Sequence, residues 1–301
     1  MSRLDALRRP KIARLYGDVP DEHLARFRRF HADHPTHHVA IDGVDWATIT
    51  AGHGEPAVLL LPGADGVPDL RWEHIAHFAQ GGRVVGPEYA PLKSMDALVD
   101  GIAGILRQEG IAQAHVIGDS YGGFVAQAFV RRHPQLTASL VLSHTLPPDP
   151  ASGQLVKSTL SYLSVFPMFL LRRMVGNRLR SLLPVKTAET ALYHAILNET
   201  IGHRLTKKGL INSYWRLVDF NLSGFTSQDL ASWPGRVMLI LSDDDPGMPE
   251  AARQGLQAFY PQAEVHLFHG TGHATALVRR EEFLAVIDRF IDSGPRAVGG
   301  T

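Results

Sequence analysis

The stretch Ala114-His115-Val116-Ile117-Gly118-Asp119-Ser120-Tyr121-Gly122-Gly123 decides the fold. It is an apolar run that ends in a serine bracketed by glycines, followed by a helical pattern from Gly123 to Arg132 that Pro134 ends. A nucleophile held on a strand-to-helix turn needs a tight backbone, so the residues two before and two after it must be small. Gly118 and Gly122 meet that demand for Ser120, whereas the corresponding neighbours of Asp119 are Ile117 and Tyr121. The expected nucleophile is therefore a hydroxyl, which argues against chemistry through an aspartyl ester. The competing reading is a plain glycine-rich turn that spaces a helix against a sheet.

Working outward, short apolar runs alternate with helical patterns. Ala57 to Leu61, Arg83 to Gly86, Ala114 to Gly118 and Ser139 to Leu142 read as strands. Trp72, Ile75 and Phe78, then Met95, Leu98, Ile102, Ile105 and Leu106, mark helices between them. Strand, helix, strand, helix predicts an α/β fold with a mostly parallel central sheet and helices on both faces. Strands buried on both sides read as continuous apolar runs, as these do. Ahead of them, Asp42-Gly43 between Val39–Ile41 and Trp46–Ile49 predicts a hairpin, and Leu24, Phe27 and Phe30 predict a short helix with Asp21 as its N-cap.

The rhythm stops at Pro147-Pro148 and resumes at Arg236 to Leu241; Glu264 to Phe268 is the last strand and Glu281 to Ile291 the closing helix. The gap is too long for an unstructured loop and reads as an inserted helical cap. Its large apolar residues are expected to form its own core, with Phe166, Phe169, Tyr193 and Trp215 as candidates to line a substrate pocket. The expected division is an N-terminal helical extension (1–37), a core (38–146 and 232–293), a cap (147–231) and a flexible tail (294–301).

Composition narrows the function classes. The 301 residues carry 30 Lys+Arg against 30 Asp+Glu, with 16 His and no Cys. Zero net charge argues against a nucleic-acid binder that works by neutralising phosphates. The absence of cysteine removes disulfides, thiolate metal sites and cysteine nucleophiles together. Apolar runs fall far short of the roughly 20 residues that span a bilayer. The arginine-rich start lacks an apolar export core and is interrupted by Asp5, Asp18, Asp21 and Glu22, so the default expectation is a cytoplasmic protein.

A serine needs a base, and the base a partner that fixes its tautomer. After the penultimate strand comes Ser242-Asp243-Asp244-Asp245-Pro246-Gly247-Met248-Pro249, and after the last comes His269-Gly270-Thr271-Gly272-His273. Both segments fall at carboxyl ends of strands, where open α/β sheets hold ligands, and serine, acid, histidine is the chain order this architecture uses.

Over Val39 to Ile291 the chain resembles the α/β-hydrolases. The nucleophile elbow matches at Gly118-Asp119-Ser120-Tyr121-Gly122. The family's acid segment matches at Ser242, Asp245 and Pro249, which implies Asp245 as the acid, with Asp244 the rival and Asp243 a loop charge. Its glycine-rich turn matches Gly270-Thr271-Gly272-His273, implying His273 as base ahead of His269. The resemblance implies a serine hydrolase acting on an ester or related acyl compound through an acyl-enzyme on Ser120, with backbone amides of Ala64 and Tyr121 as the oxyanion hole. No cofactor and no metal are implied. One departure stands out: where these enzymes usually carry His-Gly after the first parallel strand, this chain has Pro62-Gly63. Asp65 beside it would oppose an oxyanion if it faced the site, and is expected instead to cap the following loop.

The Arg26-Phe27-Arg28-Arg29-Phe30 segment and the Pro62-Gly63 turn resemble maspardin-like proteins, a group that includes interaction proteins. A non-catalytic or weakly catalytic binding protein is thus one alternative, and an aminopeptidase or C–C hydrolase on the same residues another. Expected partners are a small-molecule acyl substrate, with no nucleic acid and no membrane span; a homodimer is left open. His31, His34, His37 and His38 read as a solvated loop rather than a metal site, because Pro35 breaks helical spacing. Arg26, Arg28 and Arg29 read as a solvated helix face.

Overall fold

Among the described residues, eight strands form one sheet: β1 (His37–Ile41), β2 (Val44–Gly52), β3 (Ala57–Leu61), β4 (Arg83–Pro87), β5 (Ala114–Asp119), β6 (Thr137–Ser143), β7 (Arg236–Ser242) and β8 (Glu264–Phe268). Their spatial order is β1-β2-β4-β3-β5-β6-β7-β8, antiparallel from β1 to β4 and parallel thereafter. The computed structural model describes residues 3–182 and 187–294. The expected tail therefore lies outside the described residues from 295 onward, as do residues 1–2 of the extension and 183–186 of the insert.

Alternation along the strands sorts side chains to two faces. Val58 and Leu60 of β3 join one apolar cluster, whereas Ala57, Leu59 and Leu61 join the other. The first cluster is covered by α1 (Arg3–Arg8), α2 (Pro10–Ala13), α3 (Asp21–Asp33) and α4 (Trp72–Phe78). The second is covered by α5 (Met95–Gln108) and α6 (Tyr121–Arg132). Between β6 and β7 lie α7 (Pro150–Val165), α8 (Met168–Leu182), α9 (Thr190–Glu199) and α10 (Lys207–Asn221), with a π turn at Thr200–Arg204. Helix α11 (Glu250–Phe259) joins the second face, and α12 (Thr275–Val278) and α13 (Arg280–Asp292) close the first. The Asp-Gly hairpin forms as expected, with positive φ at Asp42 (47°) and Gly43 (77°), the pair of angles a two-residue turn needs.

Three local expectations are corrected. Asp21 is the first residue of α3 rather than its cap; Pro20 occupies the cap without a side-chain hydrogen bond, and the carboxylate instead faces the positive end of the helix. The histidines do not form a solvated loop. His31 is buried on α3 against Phe27 and Phe30, while His37 and His38 stand on β1 beside Glu109 and Asp45. Arg26 is not merely solvated, since it pairs with Glu73 at 2.9 Å and lies over the Trp72 ring.

A buried ion cluster fastens the chain start to the body. Arg3 donates to Asp69 at 2.6 Å and to Glu199, and Arg204 donates to the other Asp69 oxygen at 2.7 Å. Tyr16 donates to Glu199 at 2.7 Å. Burial pushes the Asp69 carboxyl up, but Arg204, Arg3 and His31 outweigh it and hold the group well below the usual range.

Burial also pushes the His31 imidazole down from its ordinary 6.5 to about 4, with Asp69 offsetting part of the effect. The unfolded chain therefore binds a proton between those values that the folded chain does not, and stability falls on acidification through that window. We expect the native protein to lose about 2 kcal/mol more than His31→Leu between pH 7 and pH 5. Urea unfolding of both proteins at the two pH values measures this; equal losses would contradict a buried neutral His31.

Candidate active site

The geometry at Ser120 follows from crowding. A β-carbon at Gly118 would lie 2.3 Å from the Gly122 carbonyl oxygen, and one at Gly122 would lie 2.6 Å from the carbonyl oxygens of Leu61 and Pro62. Only glycine lets β5, α6 and the end of β3 approach so closely. Ser120 itself sits at φ 55°, ψ −118°, a conformation L residues avoid and surrounding packing must enforce. Its amide donates to the Ser143 carbonyl at 2.8 Å.

The strand ends bring the expected side chains together. His273 Nε2 lies 2.9 Å from Ser120 Oγ, and His273 Nδ1 lies 2.8 Å from Asp245 Oδ2. A carboxylate only accepts, so Nδ1–H donates to Asp245, leaving Nε2 to accept from the serine hydroxyl. Burial pushes the Asp245 carboxyl up, but the bond and charge of His273 and the Gly247 amide prevail and lower it. The rival aspartates stand elsewhere. Asp244 Oδ1 accepts from Ser242 Oγ at 2.7 Å and from the Gly272 amide at 2.8 Å. Asp243 accepts from the Gly270 amide at 3.0 Å and meets His269 Nδ1 at 2.7 Å.

Tyr121 is the first residue of α6, so its N–H is among those a helix start leaves without an internal acceptor. Gly63, Ala64 and Asp65 border the cavity that opens on Ser120 and His273. The Tyr89 hydroxyl donates to the Pro62 carbonyl at 2.8 Å and braces this turn. Asp65 does not cap the following loop. Its carboxyl turns toward its own amide, Oδ2 is buried without a partner, and burial pushes the group up to about 6 against the pull of Arg71.

The cavity at Ser120 measures about 50 Å³ and is lined on its apolar side by Leu70, Leu179, Leu182 and Leu197. A second, of about 190 Å³, shares Gly63, Ala64 and Asp65 with it and reaches Tyr89, Tyr121 and Arg216. None of the four aromatic pocket candidates lines the cavity at Ser120. Phe166, just past the end of α7, and Phe169, in the first turn of α8, are both exposed. Tyr193 is buried and donates to Glu73 at 2.7 Å, and Trp215 packs under Lys93, 4.3 Å from its ring.

Sequence reasoning missed a buried polar chain behind the serine. Arg71 pairs with Asp119, whose other oxygen accepts from Ser143 Oγ at 2.8 Å. Ser143 Oγ lies 2.7 Å from His144 Nδ1, and His144 Nε2 lies 2.9 Å from Thr275 Oγ1. The His144 and His273 rings meet edge to face at 5.5 Å. Burial pushes Asp119 up, but Arg71, His144 and His273 hold it far below the usual carboxylate range. No motif marks Arg71 or His144; only the polar residue inside the elbow, Asp119, hinted that something charged must meet it.

The model of the alpha/beta hydrolase fold family matches residues 56–279; it does not separate out the maspardin-like subgroup. The 2-hydroxymuconate semialdehyde hydrolase of Pseudomonas putida is 23% identical over 265 residues, 80% of this chain and 88% of the relative. The poly(3-hydroxyalkanoate) depolymerase of Ectopseudomonas oleovorans is 27% identical over 192 residues, 60% of this chain and 61% of the relative. Among solved structures, the enol-lactonase from Burkholderia xenovorans LB400 superposes with a TM-score of 0.71 at 15% identity, covering 85% of this chain and all (100%) of the lactonase.

The crowding at the elbow makes a paired prediction. Gly122→Ala should destabilise the protein by about 1–3 kcal/mol, because its new methyl meets backbone that cannot yield. Gly255→Ala, on α11 with open space around it, should stabilise by about 0.5–1 kcal/mol through helix propensity. Denaturant unfolding checks both signs.

Proposed function

Since the chain belongs to the alpha/beta hydrolase fold family, we propose that it is a serine hydrolase that cleaves a carboxylic ester or related acyl compound. What carries the reading is the unbroken pair of hydrogen bonds from Ser120 Oγ to His273 Nε2 at 2.9 Å and from His273 Nδ1 to Asp245 at 2.8 Å. Ser120 Oγ attacks the acyl carbonyl while His273 Nε2 takes its proton. Asp245 holds the tautomer and stabilises the imidazolium. The amides of Ala64 and Tyr121 receive the oxyanion, the interaction that contributes most where charge develops. His273 then returns the proton to the departing alcohol, and water, activated by the same imidazole, releases the acid from the acyl-enzyme.

In this proposal residues 147–231 act as a cap over a core of 38–146 and 232–293, with 1–37 packed on that core. Leu179 and Leu182 on α8 and Leu197 on α9 support it, since all three face the cavity at Ser120. The small apolar cavity suits a short acyl group, and the larger, more polar one suits the leaving group. The hydrolase names of the two sequence relatives fit the reaction type without fixing the substrate.

The test is covalent. A serine-directed phosphonate should add one adduct to the intact mass, and Ser120→Ala should show none. An unmodified native protein would instead favour a binding role. Asp245→Asn should lower kcat by about 10⁴-fold through the wrong tautomer. Turnover should fall on acidification, because an imidazolium cannot accept the serine proton; a rate flat from weakly basic to acidic pH would rule out His273 as the base. In an ester series, short acyl chains should react fastest.

A further inference from the structure

Large apolar side chains normally hide, and contiguous exposed ones mark an interaction surface. Here, apart from Val265 and Leu267 on β8, those exposed among the described residues lie on two consecutive helices and the turn between them. Leu155 (67% exposed), Tyr162 (69%), Val165 (77%) and Phe169 (69%) lie along α7 and just into α8, and Phe166 is exposed at the turn between them. Leu155, Tyr162 and Phe166 are spaced seven and four residues apart, which puts them within about 40° of one another around the helix.

The charge on these two helices is one-sided. Residues 150–182 contain Lys157, Arg172, Arg173, Arg178 and Arg180 and no Asp or Glu, in a chain whose net charge is zero. Among the described residues, none of these five cations pairs with a carboxylate, whereas Arg3, Arg71, Arg204 and Arg280 all do. Arg173 and Arg180 follow Phe169 by four and eleven residues, so they share its face of α8.

Aromatic and aliphatic tips flanked by arginines that no carboxylate neutralises, Arg180 donating only to the neutral Asn177 and Asn198, match the interface of an anionic bilayer, where apolar tips enter the acyl boundary and cations meet phosphates. A second copy of this chain fits poorly, since a two-fold contact would press one basic face against another. Among the described residues no helix is long and apolar enough to cross a membrane, so these helices would lie on the bilayer rather than span it. We propose that the end of α7, the turn after it and α8 are a docking surface for anionic phospholipid bilayers, with Tyr162, Val165, Phe166 and Phe169 in the interface and Arg173 and Arg180 on the headgroups. The far end of α8 carries Leu179 and Leu182 over the cavity at Ser120. Docking therefore sets the cavity beside the lipid phase, and only this consequence rests on the proposed hydrolase reading.

Co-sedimentation with vesicles tests the docking without turnover. The full chain should pellet with phosphatidylcholine vesicles that contain phosphatidylglycerol and stay in solution with phosphatidylcholine alone. The double substitution Phe166→Ser with Phe169→Ser should weaken binding at least about tenfold. Arg173→Gln with Arg180→Gln should do likewise, and added salt should mimic it. Unchanged unfolding midpoints in both doubles would show that these exposed positions were removed without loss of fold. Absence of native binding, equal binding to neutral vesicles, or binding unaffected by either double would overturn the proposal. So would a dimer in sedimentation equilibrium that the phenylalanine double dissolves. Phosphonate labelling of Ser120 reports separately on the hydrolase reading, so either can fail alone.

Discussion

The start of α6 lies so close to the end of β3 that no β-carbon fits between them, and the rest of the site depends on that contact. The register of the parallel pair sets it, with Leu61 opposite Gly118. The chain must then leave β5 through a left-handed serine and enter α6 at once, with Gly122 against the carbonyls of Leu61 and Pro62. As a result the loop after β3 and the first turn after β5 meet at one edge of the sheet. The two amides proposed to hold an oxyanion come from those two loops, so strand pairing sets where they meet. A parallel sheet buried on both faces is well suited to hold that register, because neither strand can slip without moving a whole layer of core.

Charge at that edge is mostly matched, with Asp65 the exception: its Oδ2 is buried without a partner. Three consecutive aspartates divide the loop that carries His273 among themselves. Asp243 binds Gly270, Asp244 binds Gly272, and Asp245 binds His273 itself. Two of them hold backbone, so the imidazole is placed from both its loop and its ring. Behind the serine, Asp119 is matched by Arg71 and by the Ser143 hydroxyl. Removing one member of such a set strands the others in a low dielectric, which costs more than the pair contributes.

Much of this could be read from the chain because it is periodic or local. The strands and main helices announce themselves as apolar runs and helical stripes, and the Asp42-Gly43 turn by its pair of left-handed residues. Gly118 and Gly122 point to Ser120 because a steric demand falls on fixed offsets. The partners of the charges were illegible for the opposite reason: Arg71 and Asp119 are 48 residues apart, and Arg3 and Glu199 are 196 apart. No spacing rule connects such pairs; only the fold does. The aromatic pocket candidates failed because size and apolarity suggest burial but not direction. Phe166 and Phe169 face outward at the junction of α7 and α8, Tyr193 turns to Glu73, and Trp215 lies under Lys93. His31 failed because a cluster of histidines looks polar in sequence, while Phe27 and Phe30 pack their rings against this one in the fold.

The N-terminal helices complete the account of the Pro62-Gly63 departure. The loop that begins at Pro62 runs on to Arg71 and is fastened at several points. Tyr89 binds the Pro62 carbonyl, Arg3 and Arg204 grip Asp69 from two sides, and Arg71 ties its end to Asp119. Arg3 comes from the chain start, and Arg204 from the π turn after α9. Each grip is a charged or buried hydrogen bond, and together they restrain the loop from Pro62 to Arg71. The groups that hold this loop come from α1, from the turn after α9 and from the end of the strand that precedes Ser120, so residues far apart in the chain fix the backbone beside the proposed nucleophile.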